Sequence, residues 1–492
     1  MSWKEAAEPV LTRMPVVARP EGHVPFKRKL LWTAGVLGVY FFLTNVSLFG
    51  LAAGDSDLFG QFRSILAGGQ GSILQVGIGP IVTASIVLQL LGGANLLGLD
   101  TENDPRDQVL YQGLQKLLVV IVTAATAAPM VFTGSFLPAD EAVGNALGVG
   151  IGGVQLLLFA QIFVGGILIL FMDEIVSKWG VGSGVGLFII AGVSQQLIGG
   201  MISWEALGTS GFFASWYGIL FGETTLGATF TAEWFQNLLF PPGDILALVT
   251  TLLIFGVVVY AESVRVEIPL SHSRVRGARG RFPVKLIYAS VLPMILVRAL
   301  QANIQFLGQI LYSQLGETGM PALLGVYADG QPVDGLFYYL APIQARQDWM
   351  WFLGLTPSGI EPWQVGLRVA IDLTFMLIGG AIFAVFWVET TGMGPEATAK
   401  QIQNSGMQIP GFRRNPQVVE KVMERYIPQV TVIGGALVGL LAVMANMLGT
   451  IGNVSGTGLL LTVSITYKLY EEIAEEQMME MHPMMRQMFG NE

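Results

Sequence analysis

Long runs without a charged side chain most limit how this chain can fold. The clearest covers residues 426–467, where 42 residues pass without an Asp, Glu, Lys or Arg. A helix needs about 20 mainly apolar residues to cross a hydrocarbon core about 30 Å thick, so this run is long enough for two spans. Only 12% of the 492 residues are charged, against roughly 25% in soluble domains, so we predict an integral membrane protein.

The same criterion predicts ten transmembrane helices and an all-α fold. Residues 449–458 supply the turn that divides the run at 426–467 into the ninth and tenth spans. Residues 206–222 are apolar enough to be another candidate, but they contain Gly, Ser and Thr throughout, and we expect an interfacial segment on the outer side. The predicted spans lie within residues 30–54, 64–99, 117–139, 142–172, 179–204, 245–261, 286–316, 365–388 and 426–467.

Lys and Arg determine the predicted orientation, because they concentrate in cytosolic loops of membrane proteins. With ten spans and a cytosolic N-terminus, 22 of the 26 basic residues fall in cytosolic segments. An eleventh span would place the two most basic loops, residues 262–285 and 392–425, outside. The sequence therefore predicts a multi-pass protein of the cell membrane with both termini in the cytosol.

Ten spans divide into two halves of five, and the second half then enters the membrane from the opposite side. Many transport folds are built from such inverted repeats. We therefore expect two inverted five-helix halves around a central pore. The predicted divisions are an N-terminal arm (1–29), an N-terminal half (30–202), an outer hinge segment (203–242), a C-terminal half (243–470) and a C-terminal tail (471–492).

Ionisable residues at membrane depth are few, which argues against most transport and catalytic chemistry. The chain has no Cys, and its three His lie in polar segments, so we expect no metal, no cofactor and no thiol or imidazole chemistry. Arg298, Arg368 and Asp372 are the ionisable residues that fall within predicted spans. Arg368 and Asp372 are four residues apart and are predicted to pair on one helix face, whereas Arg298 is expected to snorkel or face water. An intramembrane aspartyl protease would need a second Asp.

Two long cytosolic loops carry clusters of Arg. In the loop at 262–285, Val264, Val266 and Ile268 alternate with charged residues, which predicts a short strand and a hairpin with a basic tip. Such a tip suits a polyanion such as RNA, but the ordinary excess of positive charge in cytosolic loops explains it as well. The Arg residues concerned are Arg274, Arg276, Arg279 and Arg281 in this loop and Arg413 and Arg414 in the loop at 392–425.

The net charge of −9 is unusual beside such basic loops. It fits neutral drift in exposed segments and equally fits adaptation to high salt, where acidic surfaces keep a protein soluble.

Several stretches of sequence resemble the SecY family of protein-conducting channels, with loops closest to its archaeal and eukaryotic branch. The stretch GIGPIVTAS at 77–85 is similar to the second helix of that family, and DEIVSKWGVGSG at 173–184 to the start of its fifth. The remaining similarities, spread to the tenth helix, lie at 262–285, 299–305, 387–392 and 455–461.

This resemblance implies a channel subunit that passes unfolded polypeptide outward and releases hydrophobic segments sideways into lipid, without being an enzyme. The partners it implies are two small single-span subunits (one SecE-like, one of a third, beta type), the ribosome, signal sequences with nascent polypeptides, and membrane lipid. The alternative is a secondary transporter with inverted repeats, which would need discontinuous helices around a midplane site for a small solute.

The family's functional positions transfer residue by residue. They imply a ring of aliphatic side chains at the pore waist: Ile78, Val82, Val185, Ile189, Ile295 and Leu461. They imply a plug over about residues 57–67, with Phe59, Phe62, Ile65 and Leu66 against the ring, and residues 68–71 as its flexible tether. They imply a lateral gate with Thr83 and Asn303, and ribosome contacts at the six Arg residues of the two basic loops.

Overall fold

The computed structural model describes residues 3–22, 24–52, 66–93, 97–99, 104–133, 136–203, 211–222, 226–227, 230–272, 279–285, 292–328, 331–354, 360–391, 393–404, 407–408 and 416–481. Its helices are α1 (Trp3–Leu11), α2 (Phe26–Asn45), α3 (Gly79–Gly93), α4 (Pro105–Phe132), α5 (Glu141–Leu147), α6 (Gly150–Trp179), α7 (Gly184–Ile202), α8 (Phe212–Phe221), α9 (Ala232–Leu239), α10 (Ile245–Ser263), α11 (Leu292–Gly319), α12 (Leu336–Tyr339), α13 (Pro362–Thr390), α14 (Pro395–Asn404), α15 (Pro416–Leu448) and α16 (Gly456–Met481). The strands are β1 (Arg265–His272), β2 (Arg279–Lys285), β3 (Val326–Ala328), β4 (Gln331–Asp334) and β5 (Met407–Gln408).

Ten of these helices correspond in order to the ten predicted spans. Seven of them, α4, α6, α7, α10, α11, α13 and α15, are long and apolar enough to cross a membrane by themselves. The other three are α2, α16 and the shorter α3. A 3₁₀ turn at Ile451–Asn453 divides α15 from α16 where the sequence predicts a turn. Most predicted spans are shifted against the observed helices, because caps end helices independently of hydropathy: Asp104 and Pro105 start α4 before its apolar run begins.

The start of α2 and the end of α16 lie at one end of the bundle, the terminal face. Lys29, near the start of α2, pairs with Glu476 near the end of α16. Lys285, at the end of β2, pairs with Glu471 of α16. The opposite end, the distal face, carries α8, α9, the pair of strands β3 and β4 and the turn at Ile451–Asn453.

The N-terminal arm is bound to the terminal face. Lys4 of α1 forms an ion pair of 2.8 Å with Asp107 at the start of α4. Beyond α1, Lys116 Nζ donates to the carbonyl of Pro15 at 3.0 Å, and Lys178 Nζ donates to the carbonyl of Val17 at 2.6 Å. Side chains from α4 and α6 thus hold an extended stretch of the arm across their ends.

The expected interfacial segment at 206–222 contains α8, which is only ten residues long. A helix of this length is too short to span a bilayer, which confirms that it is not an eleventh span. Trp216 of α8 donates its indole N–H to the carbonyl of Gly243 at 2.8 Å, which fastens the helix to the start of α10.

The predicted hairpin between α10 and α11 is present. Strands β1 and β2 are antiparallel, with Arg265 opposite Lys285 and Ser271 opposite Arg279. The predicted strand is therefore confirmed, but it runs further than expected. A second pairing, of β1 with β5 through Ser271 and Gln408, joins the two basic loops in one small sheet, which the sequence did not predict.

Helices α13 and α15 pack backbone against backbone. A side chain at Gly435 would begin 2.5 Å from the carbonyl oxygen of Gly380, and one at Gly439 would overlap the carbonyl of Met376. Glycine allows this approach, as small residues do at membrane helix interfaces. The backbones of these two helices are therefore in direct contact.

Candidate gate and pore waist

A polar contact joins the N-terminal half to the C-terminal half between α3 and α11. Asn303 of α11 donates its side-chain N–H to the hydroxyl of Thr83 on α3 at 3.0 Å, and both side chains are half-buried. The structure thus brings together the two residues of the predicted lateral gate, and their role as a gate stays a prediction. A cavity of about 50 Å³ lies beside it, lined mainly by apolar groups that include Leu66, Met130 and Phe306.

The segment that precedes α3 is an ordered turn, not the flexible tether predicted for residues 68–71. Gly71 N–H donates to the Gln75 side chain at 2.7 Å, and Ser72 Oγ donates to the Gly69 carbonyl at 2.8 Å. Gly77, at φ 56°, lies so close to the Leu66 carbonyl that any side chain there would overlap it. These glycines serve close backbone packing and not backbone flexibility, because the turn is buried between helices.

The C-terminal end of the predicted plug segment is joined to two helices. Ile78 N–H donates to the Leu66 carbonyl at 2.8 Å, and Tyr40 of α2 donates its hydroxyl to the Ala67 carbonyl at 2.9 Å. Ala67 is buried in the same apolar cluster as Ile78 and Ile189. The other predicted plug residues, Phe59, Phe62 and Ile65, lie outside the described residues.

The six predicted ring residues belong to one apolar cluster. Five are buried in it, and Val185 is half-buried against it. The five side chains expose between 0% and 4% of their surface: Ile78, Val82, Ile189, Ile295 and Leu461. The six ring residues come from α3, α7, α11 and α16 and from the turn before α3. Their arrangement as a ring stays a prediction.

Asp173 positions the helix that carries Val185 and Ile189. Its carboxylate, at the end of α6, accepts a hydrogen bond from the backbone N–H of Val185 at 2.9 Å, at the start of α7. Gly184 packs directly on Asp173, and a side chain there would begin 2.5 Å from its Cα. A cavity of about 540 Å³ opens beside Asp173 on the terminal face. Sequence reasoning did not assign Asp173 a role, although an acidic residue shortly before a Gly-rich helix start suggests a cap.

Arg298 is fully buried, which contradicts the expectation that it snorkels or faces water. Its Nη1 lies 3.3 Å from Asp372 Oδ1 of α13 and donates to Gln301 Oε1 at 2.7 Å. Gln301 in turn donates to Asp372 Oδ1 at 2.9 Å, and the backbone N–H of Ile343 donates to Asp372 Oδ2 at 3.2 Å. An arginine inside the bundle thus meets its counter-ion on a neighbouring helix.

The predicted pair between Arg368 and Asp372 is consequently wrong. Arg368 donates to the carbonyls of Ala341 and Pro342 at 3.2 and 2.9 Å and lies over the ring of Tyr338. Residues 335–354, which follow β4, return into the bundle on this side of α13. The carbonyls of this returning chain contact Arg368, and Asp348, whose Oδ1 lies 3.8 Å from Arg368 Nη1, takes the place that Asp372 was expected to fill.

The basic residues of the two loops are described only in part. Arg279 and Arg281 lie on β2, opposite Ser271 and Pro269 of β1. The other four, Arg274, Arg276, Arg413 and Arg414, fall outside the described residues. Within the part of the chain that the structure describes, no three His, Cys, Asp or Glu residues come close enough to hold a metal ion.

Ten membrane-spanning helices, an apolar cluster contributed by both halves and a polar contact between α3 and α11 together are the features of a membrane channel. The sequence profile of the SecY family matches residues 72–470, and that of the plug domain of Sec61p matches residues 39–71. The chain therefore belongs to the SecY family, and it is a protein-conducting channel subunit of the Sec translocon, a transport protein and not an enzyme.

Relatives and solved structures match over nearly the whole chain. The protein translocase subunit SecY of Haloferax volcanii is 76% identical over 494 residues and covers 100% of both chains. A solved protein-conducting channel is 37% identical with a TM-score of 0.79, covering 97% of this chain and 98% of that one. Sec61 in the canine ribosome–channel complex is 36% identical with a TM-score of 0.75, over 97% and 98% of the two chains.

Proposed function

We propose that this channel opens sideways towards lipid between α3 and α11, with the Thr83–Asn303 hydrogen bond as its closing contact. The observation that carries the proposal is this bond of 3.0 Å, which joins the two halves beside a small, mainly apolar cavity. A single neutral hydrogen bond between membrane helices contributes about 0.6 kcal/mol on average. A contact of this strength holds the gate at rest and yields to a hydrophobic signal sequence.

The six aliphatic ring residues of the apolar cluster close the pore waist in this proposal. Aliphatic side chains offer a moving polypeptide no hydrogen bonds or charges, and a hydrophobic constriction resists ions by dewetting. The plug at about 57–67 seals the waist from the distal face. The hydrogen bonds of Leu66 and Ala67 support this role, because they tie the end of the plug to the ring residue Ile78 and to α2.

The ribosome is the proposed partner of the basic loops. Four Arg between residues 274 and 281 and two more at 413 and 414 provide the positive charge that ribosomal RNA attracts. Pairing of β1 with β5 brings the two loops together, so that they would present one basic surface. The similarity to Sec61 from a ribosome–channel complex adds support.

The terminal face is cytosolic in this proposal, with both termini inside and the distal face outside. The excess of basic residues on the terminal side supports this orientation in the cell membrane. Two small single-span subunits complete the complex. Exposed apolar side chains such as Phe42 of α2 and Leu252 of α10 would face them or lipid. The division into an N-terminal arm, two inverted halves, a hinge segment and a C-terminal tail is proposed as predicted.

A reversible crosslink across the gate tests this function. Because the chain has no Cys, the pair Thr83→Cys/Asn303→Cys can be bridged by a short cleavable thiol reagent on an otherwise unreactive background. We expect the bridge to form in the resting state and to block movement of a secretory precursor into proteoliposomes until it is cleaved.

A matched control lies on the same helix. Ser85 of α3 accepts a hydrogen bond from Gln115 of α4 at 3.3 Å, within the N-terminal half. Bridging Ser85→Cys/Gln115→Cys should leave translocation unchanged. The proposed gate is wrong if the bridged Thr83/Asn303 variant still moves the precursor, or if the control bridge blocks it equally.

A further inference from the structure

Helix α11 has a second polar contact, on the side away from the gate. One helical residue turns about 100°, so Gln301 lies about 160° around α11 from Asn303, and Arg298 lies about 140° from it. Asn303 therefore faces α3, while Arg298 and Gln301 face α13 and the returning chain near Ile343.

The two sides of α11 differ in the kind of contact they make. The gate side has a neutral hydrogen bond between half-buried side chains. The other side has an ion pair whose two side chains are 0% exposed, with Gln301 and the Ile343 N–H as further donors to Asp372. Charge-assisted hydrogen bonds in a buried site are stronger than neutral ones.

Arg298 depends on Asp372 for its charge balance. Among the described residues, its Nε and Nη2 atoms have no hydrogen-bond partner. Breaking a buried ion pair by removing one member leaves an uncompensated buried charge, which is strongly unfavourable. Separation of α11 from α13 would have the same consequence.

Close packing connects α11 and α13 to another helix of the C-terminal half. A Cβ built on Gly379 of α13 would lie 3.8 Å from the Cβ of Val297 of α11, and Gly380 packs on Gly435 of α15. Asn446 of α15 donates to the carbonyl of Ile343 at 2.8 Å. Helices α11, α13 and α15 and the returning chain are thus connected around Asp372.

We propose that Arg298, Gln301 and Asp372 form an anchor that makes α11 and α13 move as one body, so that the channel parts at α3 and not at α13. Arg298 and Asp372 are then positioning residues for the gate, and the inference rests on the gate proposed above. The anchor determines which of the two interfaces of α11 opens.

A disulfide between α11 and α13 tests the anchor directly. The distance of 3.8 Å between Cβ positions at Val297 and Gly379 is the mean value for disulfides, so Val297→Cys/Gly379→Cys meets the Cβ–Cβ requirement for a disulfide between α11 and α13. We expect the oxidised protein to translocate a precursor at the rate of its reduced form. A rate at least tenfold lower on oxidation, restored by reduction, would show that α11 must leave α13 and would overturn the anchor.

Neutralising the carboxylate tests the same point from the other direction. Asp372→Asn should lower the yield of the Thr83→Cys/Asn303→Cys bridge several-fold per folded molecule, because α11 is no longer held in register. Adding the oxidised Val297→Cys/Gly379→Cys disulfide should restore that yield. A merely structural role would lower the amount of folded protein and leave the yield per molecule unchanged, which would contradict the proposal.

Two further variants complete the test. Thr374→Val on α13 removes an exposed hydroxyl that donates to the Ala370 carbonyl of its own helix, and should change nothing. If Asp372→Asn does not fold, Arg298→Met/Asp372→Leu removes both charges and should show the same loss and rescue of bridging. Failure of the gate itself appears separately, as translocation through the bridged Thr83/Asn303 parent protein.

Discussion

Replacing Asn303 by Leu should shift the channel towards its open state. The change keeps the size of the side chain but removes the donor of the 3.0 Å bond to Thr83. The Thr83 hydroxyl is not left unsatisfied, because in a helix it can turn to the carbonyl four residues earlier. The free energy lost from the closed state is therefore close to the contribution of the hydrogen bond itself.

The expected magnitude follows from measured values for such bonds. An interhelical hydrogen bond in a membrane averages about 0.6 kcal/mol, with a maximum of about 1.7, which corresponds to a roughly threefold and at most about eighteenfold rise in the open-to-closed ratio. The cavity of about 50 Å³ beside the bond is too small for much compensating packing by Leu. We therefore expect a change near threefold.

Ion conductance in planar bilayers and translocation of a precursor with a weakened signal sequence measure this shift. Asn303→Leu should raise the resting open probability about threefold and improve export of the weakened precursor. Ser85→Ala, which removes the contact with Gln115 inside the N-terminal half, is the control. Unchanged conductance and signal requirement in Asn303→Leu, or an equal change in Ser85→Ala, would refute the reasoning.

Three other changes test the remaining assignments. Leu461→Asn should let water enter the proposed waist and raise the ion leak of the resting channel; a leak and a signal requirement at parent levels would remove Leu461 from the ring. Arg276→Glu/Arg279→Glu should weaken ribosome binding and flatten its salt dependence in cosedimentation, and unchanged binding would leave these residues as topology signals only. Arg346 donates to the Leu448 carbonyl at 2.8 Å and pairs with Asp244 at 3.3 Å, so Arg346→Met should lower the free energy of unfolding by about 1.5–3 kcal/mol. Burial raises the pKa of Asp244 and Arg346 opposes that rise. Stability contributed by Asp244 is therefore lost as pH rises through its folded pKa. Because Arg346→Met removes the group that lowers this pKa, its free energy of unfolding should fall more with rising pH than that of the parent protein. Equal pH profiles in denaturation experiments would contradict this.

The number and order of the spans were readable from the sequence because the bilayer makes the signal local. Inside hydrocarbon, each helix must satisfy its own backbone groups and present apolar side chains, so each stretch of about 20 apolar residues indicates one span. The turn between α15 and α16 and the strand after α10 were predictable for similar reasons, since both depend on neighbours in the chain. Helix ends were less predictable, because caps such as Asp104 extend helices beyond the apolar run.

The contact between Thr83 and Asn303 was predicted only through the resemblance to the SecY family. Nothing within either segment names the other as its neighbour, since 220 residues separate them. The contact between Asp173 and Val185, which are only 12 residues apart, could have been predicted from helix capping.

Composition and periodicity thus determined the membrane class, the ten spans and the strand of the basic hairpin. The tertiary structure alone decided which charges meet. From the sequence, Arg368 is the expected partner of Asp372, because it lies four residues earlier. In the structure, Asp372 pairs with Arg298, 74 residues away. The physical reason is that a buried carboxylate needs a counter-ion and hydrogen-bond donors around it. Only the packing of α11, α13 and the returning chain brings these groups together at Asp372.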